Sequence, residues 1–423
     1  MVGLFEHAPR LRRGRGFSGL RPAQQLEHLR GLFHGGFAER ALLRAVLTPL
    51  KVCQYDSPEQ FERLGCAYGR EPVREPMPRL MQERCVDADE LAGQEERLEA
   101  EVVVVGSGAG GATVAAELAA RGVAVVLLEE GRYHRRPEFN GHAVPMMRLL
   151  YRDQGMTGTV GNCVIPIPFG VCVGGTTTIN SGTCYRVPPW VLRRWAEEEG
   201  LRELGPGSLD PYYDKVEQVL QVAPAEPDLV GGIGTVVGRG CDALGWQRHG
   251  PLRRNAPDCD GSSLCIFGCP TDAKRSTNVS YVPQALRYGA QLVTGARVER
   301  IEVEGGRAVG VRAVTPSGRP LNVRAGATVL AAGSLMSPTL LLRQGLANRS
   351  RQVGRNLSIH PAVGVLGLFD DPIDGVSSIP QGYGIEEFHR EGLLFEGAFV
   401  PPDFGAGSVT LVGEDFTTLM EAY

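Results

Sequence analysis

A doubly wound α/β fold is what this sequence predicts, and the stretch from residue 101 to 131 carries the observations behind it. The apolar run Val102–Val105 reads as a buried strand and enters Gly106-Ser107-Gly108-Ala109-Gly110-Gly111 without a gap. A small-residue helix then runs to Arg121, and a second apolar strand, Val123–Leu128, ends on Glu129. Each part suits a bound dinucleotide. Gly106 permits the tight strand-to-helix turn, Gly108 lets backbone N–H groups come close to a pyrophosphate, and Gly111 lets the helix lie against the strand. The free N–H groups of the first helical turn favour an anion there. Glu129 stands about twenty residues on, where an acid accepts hydrogen bonds from a ribose.

Bulk properties bound the rest. At 423 residues the chain exceeds the roughly 250–300 at which one core stops growing, so two or three domains are expected. Hydrophobic content of 43% and charged content of 22% are those of an ordinary globular protein. A net charge of −4 with no aromatic-interleaved basic stripe argues against nucleic acid. Arg10, Arg12, Arg13 and Arg15 form a small basic arm that reads as a solvated tail. No secretory core follows the arginine pair, and no run of eighteen apolar residues occurs, so the expectation is a cytoplasmic protein without a transmembrane segment.

Taken in order, the first hundred residues read as a helical extension. Leu26–Phe33 and Phe37–Val52 carry apolar residues at three- and four-residue intervals, and Pro49, Pro58, Pro72, Pro76 and Pro78 break the segment into short helices. The stripe Phe37-Ala38-Ala41-Leu42-Ala45-Val46 suits packing on the nucleotide domain, or peripheral contact with a membrane surface. An acidic run, Asp87–Glu101, leads into the first strand. Residues 132–170 read as irregular, and Val171–Asn180 is dense in small and hydroxylated residues. Residues 188–222 look helical, and 223–275 look loop-rich apart from a helix near Ile233–Leu244. From Gln291 the period changes to two: Arg297–Glu304, Ala308–Val314 and Leu321–Arg324, separated by glycine turns, form a small β-meander. It runs into a strand over Ala327–Ala332 and a helix over Ser337–Gln344. There is no internal repeat.

Five separate blocks between about Glu101 and Pro361 resemble the glucose–methanol–choline (GMC) oxidoreductases, a family of FAD-dependent alcohol oxidases and dehydrogenases. They are the glycine loop with Glu129, then Gly174-Gly175-Thr176-Thr177-Thr178-Ile179-Asn180, similar to the signature beside the flavin. Next come Arg297-Val298-Glu299-Arg300-Ile301, where the family's valine backbone contacts adenine, and Gly333-Ser334-Leu335-Met336-Ser337-Pro338, similar to the second signature. The last is Val353-Gly354-Arg355-Asn356-Leu357 with His360-Pro361. The second signature departs from the family at Gln344 and Ala347. The resemblance implies FAD held by Gly106, Ser107, Gly108, Gly110, Gly111, Glu129, Gly174, Gly175, Thr176, Thr177, Asn180, Val298 and Gly333.

The resemblance also implies a domain plan. The FAD-binding domain comprises 101–187 and 259–365, the latter with the meander inserted. A cap region covers 188–258, a substrate-binding α+β domain begins at 366–423, and the helical extension covers 1–100. The extension and Gly268-Cys269-Pro270-Thr271-Asp272-Ala273-Lys274-Arg275-Ser276-Thr277 are most similar to the long-chain (fatty) alcohol oxidase branch. That implies a primary alcohol oxidised by hydride transfer to flavin, with dioxygen or a redox partner as electron acceptor.

Two features stand apart. Cys259, Cys265 and Cys269, the last followed by Pro270, have a spacing that can ligate an iron–sulfur cluster, or they are buried thiols in a tight loop. The family's catalytic His with a second His or Asn lies near its C-terminus. Here only His389 follows His360, and Glu386-Glu387-Phe388-His389-Arg390 does not match that motif. No catalytic base is assigned, and the expectation is a family member shortened at the C-terminus, either an enzyme completed elsewhere or a flavin-binding chain without turnover.

Overall fold

The computed structural model describes residues 2–7, 15–66, 75–91, 98–160 and 165–423. Arg10, Arg12, Arg13, Pro72, Cys163 and part of the acidic run lie outside the described residues. The centre is a seven-stranded sheet of β1 (Cys85–Asp87), β2 (Leu98–Val105), β3 (Val125–Leu128), β4 (Gln291–Thr294), β5 (Arg297–Glu304), β6 (Arg307–Val314) and β7 (Pro320–Leu330). Its order is β1-β4-β3-β2-β7-β6-β5. The first five in that order run parallel, with Val102 opposite Val125 and Leu330 opposite Val105, and β6 and β5 are antiparallel.

Strand alternation assigns the two faces. Val104, Leu127 and Leu292 point to one side, against the small face of α3 (Ala109–Ala119) and against α5 (Tyr281–Arg287). Val103, Val105, Val126, Leu128 and Val293 point to the other, against the meander residues Ile301, Val311 and Val323 and against Leu340 of α6 (Gly333–Gln344). Alanines at 112, 115, 116 and 119 are buried, and their small size lets α3 lie close on the sheet.

Four elements differ from the sequence expectation: a helix over Ala143–Leu150 forms in the stretch read as irregular, and the other three differ for visible reasons. Leu321–Arg324 and Ala327–Ala332 are one continuous strand, β7, because its first half pairs with β6 and its second with β2. The expected helix over 188–222 is interrupted between Pro189–Glu197 and Asp210–Leu220, where Gly200, Gly205, Pro206 and Gly207 fall. The sheet also recruits β1, which lies ahead of the boundary expected at 101.

The amino-terminal helices α1 (Pro22–Phe33) and α2 (Phe37–Tyr55) pack on each other through Leu32, Leu43 and Val46. The far half of α2 packs on α7 (Pro402–Ser408) and α8 (Glu414–Glu421), near the end of the chain, and only lightly on α4 (Ala143–Leu150). Lys51 fixes that seat. Its Nζ donates to the carbonyls of Val409 at 2.9 Å and Leu411 at 2.6 Å and lies 4.1 Å from the Phe416 ring centroid. No helix among the described residues is long and apolar enough to cross a membrane.

At the junction of α4 and α7, Asp403 is fully buried and accepts from the backbone N–H of Ala143 and of Phe404, each at 2.8 Å. Burial pushes its carboxyl up to about 6, against those two hydrogen bonds. A carboxyl raised in the fold contributes stability that is complete below its unfolded value and is lost as pH rises through the folded one. Between about pH 4 and pH 7 the urea midpoint of the wild type should therefore fall more steeply than that of Asp403→Asn. Equal slopes for the two proteins would refute this account.

Candidate functional site

The glycine turn sits at the carboxyl end of β2, where α/β sheets bind their ligands. Its glycines divide into two kinds. Gly106 has φ of +99°, and a side chain there would strike the Ala331 carbonyl; one at Gly111 would strike the Gly106 carbonyl. Those two are required by packing within the protein. Gly108 and Gly110 are not. A Cβ at Gly108 would come no nearer than 4.0 Å, to the Cα of Gly175, and one at Gly110 would meet nothing within 4 Å. Space kept clear in front of a helix N-terminus, with Ala109 and Gly110 exposed, fits a phosphate group approaching the backbone.

A second helix opens beside it. α6 begins at Gly333, at the carboxyl end of β7, the strand adjacent to β2, and a Cβ at Gly333 would also meet nothing within 4 Å. Two N-termini on neighbouring parallel strands thus face the same edge. On the other flank, the N–H of Glu129 donates to Val293 and its carbonyl accepts from Ala296, which brings Val298, at the start of β5, to the same end of the sheet.

Ser107 links these parts. It is fully buried, its N–H and Oγ donate to Glu129 Oε2 at 3.0 and 2.6 Å, and its Oγ accepts from the N–H of Gly174 at 3.0 Å. The other Glu129 oxygen accepts from the N–H of Gly131 at 2.9 Å. Burial pushes the Glu129 carboxyl up, while these donors pull it down. Ser107 is among the expected cofactor-binding residues; in the structure its N–H and hydroxyl are bonded within the protein, where they position Glu129 and Gly174. Glu129 keeps lone-pair capacity for one further donor beyond these three.

Gly174, with φ of +98°, begins the tight turn Gly175–Thr178. Thr177 Oγ1 donates to the Gly174 carbonyl at 2.6 Å and accepts from the N–H of Thr277 at 3.0 Å, and Thr277 Oγ1 donates to the Ser107 carbonyl at 2.9 Å. Thr176 and Asn180 stay exposed on the outer side of the turn. Beneath it lies Lys274, whose Nζ donates to the carbonyls of Thr178 at 2.8 Å, Asn180 at 2.6 Å and Cys265 at 2.7 Å. Lys274, Thr277 and Arg254 are site residues that sequence reading passed over. Lys274 and Thr277 fall in a run that served only as a family comparison. Arg254 carries no local signal.

Cys259, Cys265 and Cys269 do not form a ligand set. Among the described residues no group of three His, Cys, Asp or Glu side chains is placed to hold a metal. The sulfurs have separate partners: Arg254 Nη2 donates to Cys265 Sγ at 3.5 Å, and the N–H of Lys274 donates to Cys269 Sγ at 3.3 Å. Burial pushes the Cys259 thiol up, toward the neutral form that does not bind metal. His360 is exposed in a stretch without helix or strand. His389 accepts from the Trp190 indole N–H at 3.1 Å on Nε2, and its Nδ1 lies 2.8 Å from Arg248 Nη2. An open cleft of about 310 Å³ lined by Glu83, Arg84, Glu99 and Gln291 lies at the opposite end of the parallel strands, away from all these residues.

Residues 147–362 match the family model described as GMC oxidoreductase. An uncharacterized GMC-type oxidoreductase of Mycobacterium tuberculosis is 44% identical over 316 residues, covering 74% of this chain and 50% of that protein. A long-chain-alcohol oxidase of Arabidopsis thaliana is 33% identical over 288 residues, covering 65% of this chain and 38% of the oxidase. The chain thus spans half the length of the bacterial relative and less of the plant one. Among solved structures, pyridoxine 4-oxidase from Mesorbium loti aligns with a TM-score of 0.47 and 20% identity over 68% of this chain and 62% of that one.

The two kinds of glycine separate stability from binding. Gly111→Ala should cost the apo protein about 1–3 kcal/mol in chemical denaturation, through overpacking. Gly108→Leu should leave apo stability nearly unchanged while weakening FAD about a hundredfold or more in a fluorescence titration, a loss of roughly 2.7 kcal/mol. Wild-type FAD affinity in Gly108→Leu would show that the cleared space serves no ligand.

Proposed function

The chain belongs to the GMC oxidoreductase family, and from that membership we propose that it binds FAD and acts on the CH–OH group of a primary alcohol. A long-chain alcohol is the substrate class favoured by the similarity to plant long-chain-alcohol oxidases. The observation that carries the cofactor reading is the room kept at Gly108 and Gly110, which packing within the protein does not require.

In this reading the first turns of α3 and α6 hold the pyrophosphate through free N–H groups. Glu129 takes a ribose hydroxyl with its remaining lone pair, and the backbone near Val298 borders the adenine. The turn Gly174–Asn180 fixes the edge of the isoalloxazine, with Thr176 and Asn180 as its exposed polar groups. FAD, when bound, supplies the hydride acceptor, and dioxygen or a redox partner restores it. The chain's own contribution is orientation: Ser107, Thr177 and Thr277 lock the two turns together, so the seat is rigid before any ligand arrives.

A second reading, a flavin-binding chain with little turnover of its own, is favoured by the state of its histidines. A substrate base must reach the hydroxyl proton as hydride leaves. Both ring nitrogens of His389 face N–H groups, of Trp190 and of Arg248, and its one acceptor nitrogen is thereby engaged, while His360 stands in solvent.

Purified protein should carry, or take up, flavin that denaturation releases unmodified, seen as visible absorbance in the supernatant. Colourless protein that also ignores added FAD would overturn the cofactor reading. In stopped-flow mixing with a long-chain primary alcohol, reduction of bound FAD by this chain should be slower by about two to four orders of magnitude than in a family member with its base in place. Fast bleaching that is lost in His360→Ala or His389→Ala would instead identify that histidine as the base.

A further inference from the structure

Two buried cations flank the backbone that follows the threonine-rich turn. Lys274 is 1% exposed and Arg254 is 2% exposed. Lys274 Nζ holds the carbonyls of residues 178 and 180. Arg254 donates to the carbonyl of Ser181 through Nη2 and to that of Gln381 through Nη1 at 2.7 Å. Carbonyls of three residues within a four-residue stretch are therefore turned inward onto fixed positive charge. Neither cation is within ion-pair distance of a carboxylate among the described residues. Arg254 exerts an attraction on Glu396, whose carboxyl burial pushes up toward the neutral form.

Buried charge without a counter-charge is costly, and carbonyl dipoles offset only part of that cost. Desolvation lowers the Lys274 ammonium to about 8, while the neighbouring thiols of Cys265, Cys269 and Cys172 raise it and Arg254 lowers it. Buried cations held by carbonyls and lacking an ion-pair partner within reach mark a functional-site candidate, one suited to receiving negative charge.

We infer that Lys274 and Arg254 form a positive seat behind the turn Gly174–Asn180 that favours the reduced, anionic state of the flavin. This rests on the reading that the isoalloxazine is fixed at that turn. The step is balanced as follows. The substrate C–H bond breaks with its electron pair, hydride goes to the flavin, the hydroxyl proton leaves to a base, and the alcohol becomes an aldehyde. The ring thereby gains two electrons and one proton, so it carries one additional negative charge. Fixed cations nearby stabilise that charge without reorganising. Lys274 and Arg254 are positioning residues here, since both act through the backbone of 178–181.

The test uses FAD-loaded full chain and reads potential, not turnover. Lys274→Met removes the charge at similar volume and should lower the equilibrium ratio of reduced to oxidised flavin about tenfold, a fall of about 30 mV for two electrons. Lys274→Arg keeps the charge and should stay near the wild-type potential, even if both variants lose thermal stability and FAD affinity. A purely structural lysine would move stability and affinity in both variants and leave the potential alone, which overturns the inference. Arg254→Gln against Arg254→Lys repeats the comparison if Lys274→Met does not fold. Sulfite gives a reading on the wild type itself: bleaching by a sulfite adduct, which needs the ring's negative charge stabilised, supports the seat, and no adduct overturns it. Wild-type protein that takes up no FAD sinks the cofactor reading, and is distinguished from these outcomes by its colour alone.

Discussion

Everything at the site depends on Ser107. Its hydroxyl gives its proton to Glu129 and receives one from the N–H of Gly174, while its own N–H also goes to Glu129 and its carbonyl accepts from Thr277. One small side chain therefore sets the glycine turn after β2, the acid after β3 and the threonine-rich turn in a single arrangement. A fully buried hydroxyl that both donates and accepts is worth more than its own hydrogen bonds, because removing it would take a donor from a buried carboxylate and leave the buried N–H of Gly174 without its acceptor. The glycines create room only because this network holds the surrounding backbone in place.

How much of this was legible in the residues follows from the range over which each feature acts. The strand, turn, helix and acid of 101–131 are contiguous, and period and glycine spacing define them before any tertiary contact forms. The meander is legible for the same reason. Lys274 is not. Its acceptors are the carbonyls of residues 178, 180 and 265, and carbonyls leave no mark in a sequence. Arg254 lies 73 residues from Ser181 and 127 from Gln381. The seat of α2 was misjudged on similar grounds. Its stripe shows that it packs, and its first half does so on α1, but the surface met by its far half, α7 and α8, lies more than three hundred residues later. The cysteine spacing left two readings open, since a pattern suited to a cluster is also what a tight loop produces when sulfurs such as those of Cys265 and Cys269 find guanidinium or backbone donors.

On the proposed reading, binding and turnover rest on different parts of the chain. In the proposed reading the contacts that shape the dinucleotide seat, those of Ser107, Glu129 and the two helix N-termini, fall between residues 106 and 344. From residue 357 to 369 the chain has no helix or strand, and Val363 and Val365 are 95% and 93% exposed. Hydride transfer needs water excluded from the reacting carbon as well as an oriented acceptor. An apolar stretch facing solvent cannot provide that exclusion, whatever the affinity for FAD. On the proposed reading, Lys274 and Arg254 tune the potential of the bound flavin, whereas the rate depends on how the reacting carbon is covered and on where a base is placed.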